Sequence, residues 1–385
     1  MAGALAARTL ARPSFEKAFA APSFSRAMLA FESALAHAQA QEGLIPEASA
    51  RAIDAACQAL QVDEERLVAE GKRSATLAVP LVEMLREQVS RAAKDAVAHV
   101  HFGATSQDVL DTAMVLCMKS CLEEADRSLE SAIRGLAAQA REHAATPMIG
   151  RTLMQPALPI TAGLKIARWA LALAHDRDRL GEAQAAGLAV QLGGPVGALE
   201  AFGAKAVAVR HRVAMRLGLA DSPAWHVHRN AWIALLDGIA HVVATAGKIA
   251  RDISLLQMPE VGEMLEAPPR AGIGGSSSMP HKRNPVGCAH ALAAAVRMPG
   301  LIATVHAASV AEHERALGGW QAELAVVPEI AGLLGSSLDF LEGIGASLVI
   351  DAKRMKANVD AQSPGAPRDS RAAVDELLAA LAPYL

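Results

Sequence analysis

Aromatic residues, cysteines and net charge are all in short supply in this chain of 385 residues. Phe, Trp and Tyr together make up 3% of the residues although 52% are hydrophobic, so the apolar content is mainly Ala, Leu, Val and Ile. Ala and Leu lose little side-chain freedom when they enter a helix, and this composition therefore predicts a nearly all-helical protein. The length allows two or three domains around a sizeable core.

The same shortages exclude several classes of protein. A net charge of −3 provides no basic surface for nucleic acid, so we expect no nucleic-acid partner. Four cysteines without a CxxC pair indicate a reducing, cytoplasmic compartment. No zinc-binding motif accompanies the histidines, and we expect neither a metal nor a cofactor. Charged residues or histidine interrupt each apolar stretch, so we expect no membrane insertion.

Two segments carry long helical patterns in which apolar residues alternate at steps of three and four. One runs from Val115 to Leu136 and the other from Trp232 to Leu256. At about 1.5 Å per residue each helix would reach roughly 30–45 Å, which is too long to hide its apolar stripe within one small domain. We therefore predict an all-α fold, a long helical bundle that assembles with other copies through its central helices.

Helical patterns occupy four further segments, and the sequence shows no alternation that would predict a sheet. These segments are 157–181, 197–217, 286–309 and 321–348. We divide the chain into an N-terminal helical domain (1–110), a central long-helix bundle (111–350) and a short C-terminal helical segment (351–385).

Three irregular segments rich in small polar residues interrupt the helices. They are HFGATSQD from His101, GRTLMQP from Gly150 and GIGGSSSMPHKRNP from Gly272. Taken alone, the first could be a helix start capped by Thr105 or Ser106, and the second could be an ordinary turn. The third is too polar for a core and too long for a tight turn. Its glycines would let it open and close over a ligand.

The third segment has the composition that a basic serine requires. A serine hydroxyl is a very weak acid, so it serves as a base only where cations and backbone N–H groups stabilise the alkoxide away from water. Lys282 and Arg283 supply positive charge that matches carboxylates, and Asn284 supplies an orienting amide. We therefore expect this loop to surround a reactive serine and a carboxylate substrate.

The string GSSSMPHKRN resembles the signature G-S-S-x-M-P-x-K-x-N of the fumarase/aspartase superfamily at every fixed position. The other two segments resemble the superfamily's other two active-site regions, in the expected order. The resemblance implies a homotetramer whose active sites combine residues of three subunits. It makes Ser276 the general base that takes the proton alpha to a carboxylate. Lys282 and Asn284 would bind that carboxylate and stabilise the aci-carboxylate intermediate.

The resemblance also assigns the remaining residues of the site. His101 matches a histidine that contacts substrate, and we include it among the catalytic residues. The residues expected to bind substrate are Thr105, Ser106, Gln107, Arg151, Thr152, Gln155, Gln191, Ser277, Met279 and Arg315.

Departures from the superfamily pattern restrict the substrate. Adenylosuccinate lyases and fumarases carry a histidine at the position of Leu153, whose side chain cannot transfer a proton. Trp320 and Leu324 stand where adenylosuccinate lyases have a serine and a phosphate-binding arginine, which disfavours a nucleotide substrate. The strings GRTLMQPALPIT, QLGG, HKRNPVGCA and EHERALGGWQAE are instead similar to the bacterial 3-carboxy-cis,cis-muconate cycloisomerase family.

That similarity implies an intramolecular lyase that closes 3-carboxy-cis,cis-muconate to 4-carboxymuconolactone in protocatechuate degradation. The substrate's own carboxylate is the nucleophile, so no leaving group needs the acid that is missing at Leu153. A small-molecule tricarboxylate suits the cations Lys282, Arg283 and Arg315. Two alternatives stay open: a fumarate-releasing lyase of the adenylosuccinate or argininosuccinate type, and a non-catalytic helical tetramer.

Overall fold

Helices form most of the computed structural model, which describes residues 8–267, 282–362 and 370–385. The N-terminal helices are α1 (Pro13–Ala18), α2 (Ala21–Gln41), α3 (Glu47–Ala59), α4 (Glu64–Ser74) and α5 (Ala78–Ser90). The following helices are α6 (Ser106–Glu142), α7 (Ala162–Gly187), α8 (Ala206–Leu217), α9 (Asn230–Leu256), α10 (Val286–Ala308), α11 (Gly319–Ser347), α12 (Ala352–Gln362) and α13 (Arg371–Leu381). The predicted all-α fold is confirmed.

Helices α6, α7, α9, α10 and α11 pack side by side as one bundle. Arg229, just before α9, contacts Asp111 near the start of α6 and Glu323 near the start of α11, so these three helices begin at the same end. We call this the upper end. Gly163 at the start of α7 lies against the last turn of α6, and Gly319 lies against Ala308 at the end of α10. Helices α7 and α10 therefore run in the opposite direction, from the lower end upward.

The two long apolar stripes explain why the bundle forms. Every stripe residue of α6 from Val115 to Leu136 is fully buried, and every stripe residue of α9 from Trp232 to Leu256 is at most 4% exposed. Burying apolar surface is the main stabilising contribution at these positions. The helices also approach closely where glycines meet: a Cβ atom on Gly135 of α6 would lie 2.3 Å from the carbonyl oxygen of Gly345 in α11.

Two hydrophobic clusters divide the core. One fills the bundle, and the other joins α2 to α5 with the first turns of α6, the segment around Val190 and helix α8. Helix α6 contributes Leu110 and Cys117 to the second cluster and Val115 and Leu122 to the first. The helix thus runs unbroken through the predicted boundary at residue 110, and the three-domain division stays a prediction.

Four short strands correct the prediction that the chain has no sheet. Strand β1 (Pro147–Thr152) pairs with β2 (Gln155–Thr161) as an antiparallel hairpin, and β3 (Met264–Glu266) pairs with β4 (Leu348–Ile350). The hairpin contains the stretch from residue 157 that was predicted to be helical, so the helix there begins only at Ala162. The prolines of β2 remove backbone donors that a helix would need.

The helix predicted for 197–217 also begins later than expected. The structure has a 3₁₀ turn at Glu200–Lys205 followed by α8 at Ala206–Leu217. Gly203 adopts a φ of +50°, and this backbone conformation interrupts the helical hydrogen-bond ladder. The apolar pattern alone could not locate that break.

Three helices of the bundle are long and strongly apolar. By length and composition alone α9, α10 and α11 could each cross a membrane. Most of the apolar window is buried in α9 and α11, whereas only 28% of the α10 window is buried. Val296 on α10 is 78% exposed. Packing within the chain thus explains the apolar character of α9 and α11 but leaves an apolar outer face on α10.

Candidate active site

The first polar segment surrounds the start of α6 at the upper end of the bundle. Thr105 is the N-cap residue, and its backbone N–H donates to Asp108 Oδ2 at 3.0 Å, which satisfies one of the free donors of the helix start. Arg315 donates to Thr105 Oγ1 at 2.7 Å and to the carbonyl of Pro195 at 3.1 Å. Ser106 is the first residue of α6. The structure therefore brings Thr105, Ser106 and Arg315 together.

A turn at Gly193 and Gly194 is fixed to the same helix start by Asp108. This carboxylate is fully buried, and it accepts hydrogen bonds from the backbone N–H groups of both glycines at 2.9 and 3.0 Å. Burial raises the pKa of Asp108 to about 6, although the N–H donors oppose this effect. Gly194, with a φ of +68°, also packs closely against the carbonyl of Gly103. Asp108 thus holds two loops in register around Thr105.

His101 lies in the same region and is oriented by a carboxylate from α2. Its Nδ1 atom lies 2.6 Å from Glu32 Oε1, and Glu32 is 1% exposed. Burial by itself would lower the pKa of His101, but the charge and hydrogen bond of Glu32 outweigh it and raise the pKa. His101 therefore has the environment of an imidazolium, and its catalytic role stays a prediction.

Two of the three predicted glutamines, Gln107 and Gln191, bind buried groups of their own chain behind the site, and their assignment as substrate contacts stays a prediction. Gln107 is completely buried and donates to the carbonyl of His226 at 3.1 Å. Gln191 is also completely buried; its amide donates to Asp108 at 2.9 Å and accepts from the N–H of Trp225 at 2.7 Å. Their side-chain amides are directed into protein because each fills a position among buried backbone groups that need partners.

The second polar segment lies at the lower end, as the tip of the β1–β2 hairpin. Thr152 and Gln155 pair across the turn and are exposed. Leu153 and Met154 form the turn with φ values of +49° and +65°, and their side chains are 97% and 68% exposed. Two apolar residues in a left-handed conformation at an exposed tip are costly in a free chain.

Arg151, predicted to bind substrate, is engaged within its own chain. Its guanidinium forms two 2.8 Å hydrogen bonds with Glu263, whose carboxylate is completely buried. Asn358 of α12 donates to the same carboxylate at 2.8 Å. The planar donor fork of Arg151 thus holds an internal carboxylate in this chain, and its role in binding substrate stays a prediction.

A cationic cavity of about 430 Å³ opens close to this ion pair, between α7 and α9. Lys165, Arg168 and Lys248 are among its lining residues. Asp252, on α9, accepts a hydrogen bond from Lys248. Burial lowers the pKa of Lys165, which lies 3.9 Å from Asp252. The cavity thus has more positive than negative side chains.

The third polar segment is described from Lys282 onward. Lys282 and Asn284 are exposed, and the carbonyl of Arg283 accepts a 3.4 Å hydrogen bond from Gln257, the residue after α9. These residues therefore lie at the lower end of the bundle. The predicted catalytic Ser276 and the predicted substrate contacts Ser277 and Met279 lie outside the described residues.

The candidate residues thus form two groups at opposite ends of the chain. His101, Thr105 and Arg315 surround the start of α6, whereas Lys282 and Asn284 follow the far end of α9. Helix α9 has 27 residues and, at 1.5 Å per residue, separates the two groups by about 40 Å. One chain alone does not bring them together.

Behind the upper group lies a buried ionic cluster that the sequence analysis did not detect. Arg229 is bound by Asp111 at 2.7 and 3.1 Å and by Glu323 at 2.9 Å, and all three residues are at most 4% exposed. Trp320 and Trp232 donate their indole N–H groups to the two carboxylates. The only available signal was a charged residue inside an apolar stripe, as at Asp111 in VLDTAMV.

Within the described ranges, no group of three or more His, Cys, Asp and Glu could hold a metal ion.

Comparisons with known proteins agree with the signature segments. The model of a family described as lyase matches residues 7–300. A protein of Bradyrhizobium diazoefficiens named 3-carboxy-cis,cis-muconate cycloisomerase is 44% identical over 336 residues, which cover 87% of this chain and 74% of the relative. A Pseudomonas putida protein of the same name is 40% identical over 90% of this chain and 82% of its own. The crystal structure of the 3-carboxy-cis,cis-muconate lactonizing enzyme from Pseudomonas putida superposes with a TM-score of 0.86 at 35% identity, covering 98% of this chain and 87% of that one.

Proposed function

The chain belongs to the lyase family within the fumarase/aspartase superfamily, and we propose that it closes 3-carboxy-cis,cis-muconate to 4-carboxymuconolactone. The observation that carries this proposal combines two features of the sequence. Relatives that bear this activity in their names match most of the chain, and all three polar segments of the superfamily are present with Leu153 in place of the usual histidine.

The proposed reaction needs positioning, charge stabilisation and one proton transfer. A substrate carboxylate oxygen adds to the neighbouring double bond and forms the C–O bond of the lactone. The π electrons move into a second carboxylate and produce an aci-carboxylate, which Lys282 and Asn284 stabilise. A proton then joins the carbon next to that carboxylate. In this direction Ser276, the base of the reverse elimination, returns the proton.

We propose further that the working unit is a homotetramer with shared sites. Two observations support it. The upper and lower groups of candidate residues are separated by about 40 Å along α9 within one chain, at 1.5 Å per residue. In addition, α10 presents an apolar outer face, which includes the 78% exposed Val296 and suits burial against another copy. Antiparallel packing of bundles would place the upper end of one chain beside the lower end of another.

The compartment proposed is the cytoplasm. The four cysteines are free and buried, and they form no disulfide among themselves. Burial raises the pKa of the Cys117 thiol to about 12, so it stays protonated and unreactive at neutral pH. Such cysteines suit a reducing compartment.

The activity is tested by following the ultraviolet absorbance of 3-carboxy-cis,cis-muconate after adding the purified protein. We expect the absorbance to fall as the conjugated diene is consumed, and Ser276→Ala to abolish this change while leaving the circular dichroism spectrum intact. No turnover at micromolar enzyme would refute the proposal. Release of fumarate from argininosuccinate or adenylosuccinate would replace it with the alternative lyase activity.

Shared sites are tested by mixing two inactive variants. We expect His101→Asn and Ser276→Ala to be inactive separately. An equal mixture of the two variants is then mildly dissociated and reassembled. If each site takes His101 from one chain and Ser276 from another, random assortment should give about one quarter of the sites both native residues, and about one quarter of the wild-type activity should return. A mixture that stays inactive, although native gel electrophoresis shows mixed tetramers, would place both residues in the same chain.

A further inference from the structure

Glu32 is a carboxylate in an apolar environment. It lies on the buried face of α2 with Met28, Leu29 and Leu35, and it is 1% exposed. Its Oε1 atom is 2.6 Å from His101 Nδ1, whereas Oε2 has no hydrogen-bond partner in the part of the chain that the structure describes. A buried ionised carboxylate is unfavourable unless a cation compensates it, and the adjacent imidazole is the group placed to do so.

The other charged and titratable groups around this pair come from three helices. Arg86 of α5 and Asp108 of α6 act on His101 with opposite signs. Cys57 of α3 faces Glu32, and burial raises the pKa of its thiol, so it stays neutral. Glu32 makes the shortest contact with the ring and is the carboxylate that dominates its protonation.

The other ring nitrogen of His101, Nε2, is not the one engaged by Glu32. His101 has a φ of +63°, an uncommon conformation for a residue with a side chain. Nδ1 is engaged by Glu32, Nε2 has no partner among the described residues, and 15% of the side-chain surface stays open to solvent. A ring fixed through Nδ1 presents Nε2 in a defined direction, as in other carboxylate–histidine pairs.

We propose that Glu32 is a positioning residue that keeps His101 as an imidazolium, so that its Nε2–H donates a charge-assisted hydrogen bond to a carboxylate of the substrate. The identity of that substrate rests on the proposed function, whereas the pairing rests on the geometry of α2 and the loop at His101. No proton is transferred in this role. The imidazolium stabilises negative charge, and it remains a cation throughout the reaction.

The kinetic test compares the pH dependence of kcat/KM for the wild type and Glu32→Gln, which has the same shape without the charge. The imidazolium persists to higher pH when Glu32 is ionised. In the variant the basic limb of the profile should move down by about one pH unit or more, so that activity falls about tenfold near pH 8 and by a smaller factor near pH 6. An unchanged basic limb would overturn the proposal.

Gln39 provides a matched control on the same face of α2, seven residues further along. It donates to the carbonyl of Phe102 at 2.6 Å and holds the same loop without a charge. Gln39→Met should therefore lower kcat/KM by a similar factor at every pH. If Glu32→Gln behaves in the same way, Glu32 has only a structural role and the proposal is wrong.

A measurement without turnover separates this inference from the proposed function. Histidine labelled with ¹³C at the ε1 carbon is titrated by NMR, and His101→Asn identifies the resonance. We expect His101 to titrate above the ordinary histidine range in the wild type and below it in Glu32→Gln. A wild-type ring that is already neutral at about pH 7 would refute the inference even if the variant does not fold. Raised titration in a protein that does not consume 3-carboxy-cis,cis-muconate would reject the function alone.

Discussion

Replacing Arg229 by methionine should be the most destabilising single change near the upper end. Methionine fills similar volume but leaves Asp111 and Glu323 as neighbouring carboxylates at 1% and 2% exposure. Each keeps one indole N–H donor, from Trp320 and Trp232. These two neutral donors cannot compensate two buried negative charges that repel each other.

The expected loss in the free energy of unfolding is about 3–5 kcal/mol, the usual cost of removing one partner of a buried ion pair. The guanidinium also lies 4.8 Å from the ring of Trp225, and losing this cation–π contact adds roughly 1 kcal/mol. Burial already raises the pKa of Glu323, and without Arg229 this carboxylate should take up a proton more readily. The destabilisation should therefore be smaller at about pH 5 than at about pH 8.

The assay is urea unfolding at one fixed protein concentration, because assembly contributes to apparent stability. A triple variant with Asp111→Asn and Glu323→Gln in addition to Arg229→Met removes the charges and keeps acceptors for both indoles. It should recover a large part of the loss. A single variant within about 1 kcal/mol of the wild type, or a triple variant less stable than the single one, would refute the argument that unpaired charge is the cause.

Two further predictions concern the loops around the site and the packing of the helix bundle. Asp108→Asn places an NH₂ group among N–H donors and should lower the free energy of unfolding in urea by about 1–3 kcal/mol. Burial raises the pKa of Asp108 from 3.8 to about 6, so the stability of the wild type should fall as pH rises between these values. The variant should lack this dependence of stability on pH. Gly135→Ala places a Cβ atom 2.3 Å from the Gly345 carbonyl oxygen and should lower the free energy of unfolding by about 1–3 kcal/mol. The control Gly181→Ala has no atom within 4 Å of the new Cβ, so it should be neutral or slightly stabilising in thermal unfolding.

The sequence sufficed for features that depend on local spacing. The stripes from Val115 to Leu136 and from Trp232 to Leu256 predicted helices and their buried faces, because a helical period places those residues on one side whatever the partner is. The polar segments could also be located from local composition, because a run of small polar residues does not join an apolar core.

Features that depend on distant partners could not be predicted. Gln191 looked like a substrate contact, and only the fold shows its amide between Asp108 and Trp225. Arg151 looked like a free cation until the structure paired it with Glu263, 112 residues later. The β1–β2 hairpin was not predicted because its short strands contain prolines and show no alternating pattern. Their antiparallel pairing, rather than the intrinsic preference of the residues, stabilises these strands.

The common direction of α6, α9 and α11 has an electrostatic consequence. Aligned peptide groups give each helix start a partial positive charge, and of the five described bundle helices three start at the upper end whereas two, α7 and α10, end there. Anions approaching Thr105 therefore meet a field that belongs to the backbone. Neither mutation of a side chain nor a change of pH can remove that field, so part of the attraction for a polyanion should persist across all the variants described above.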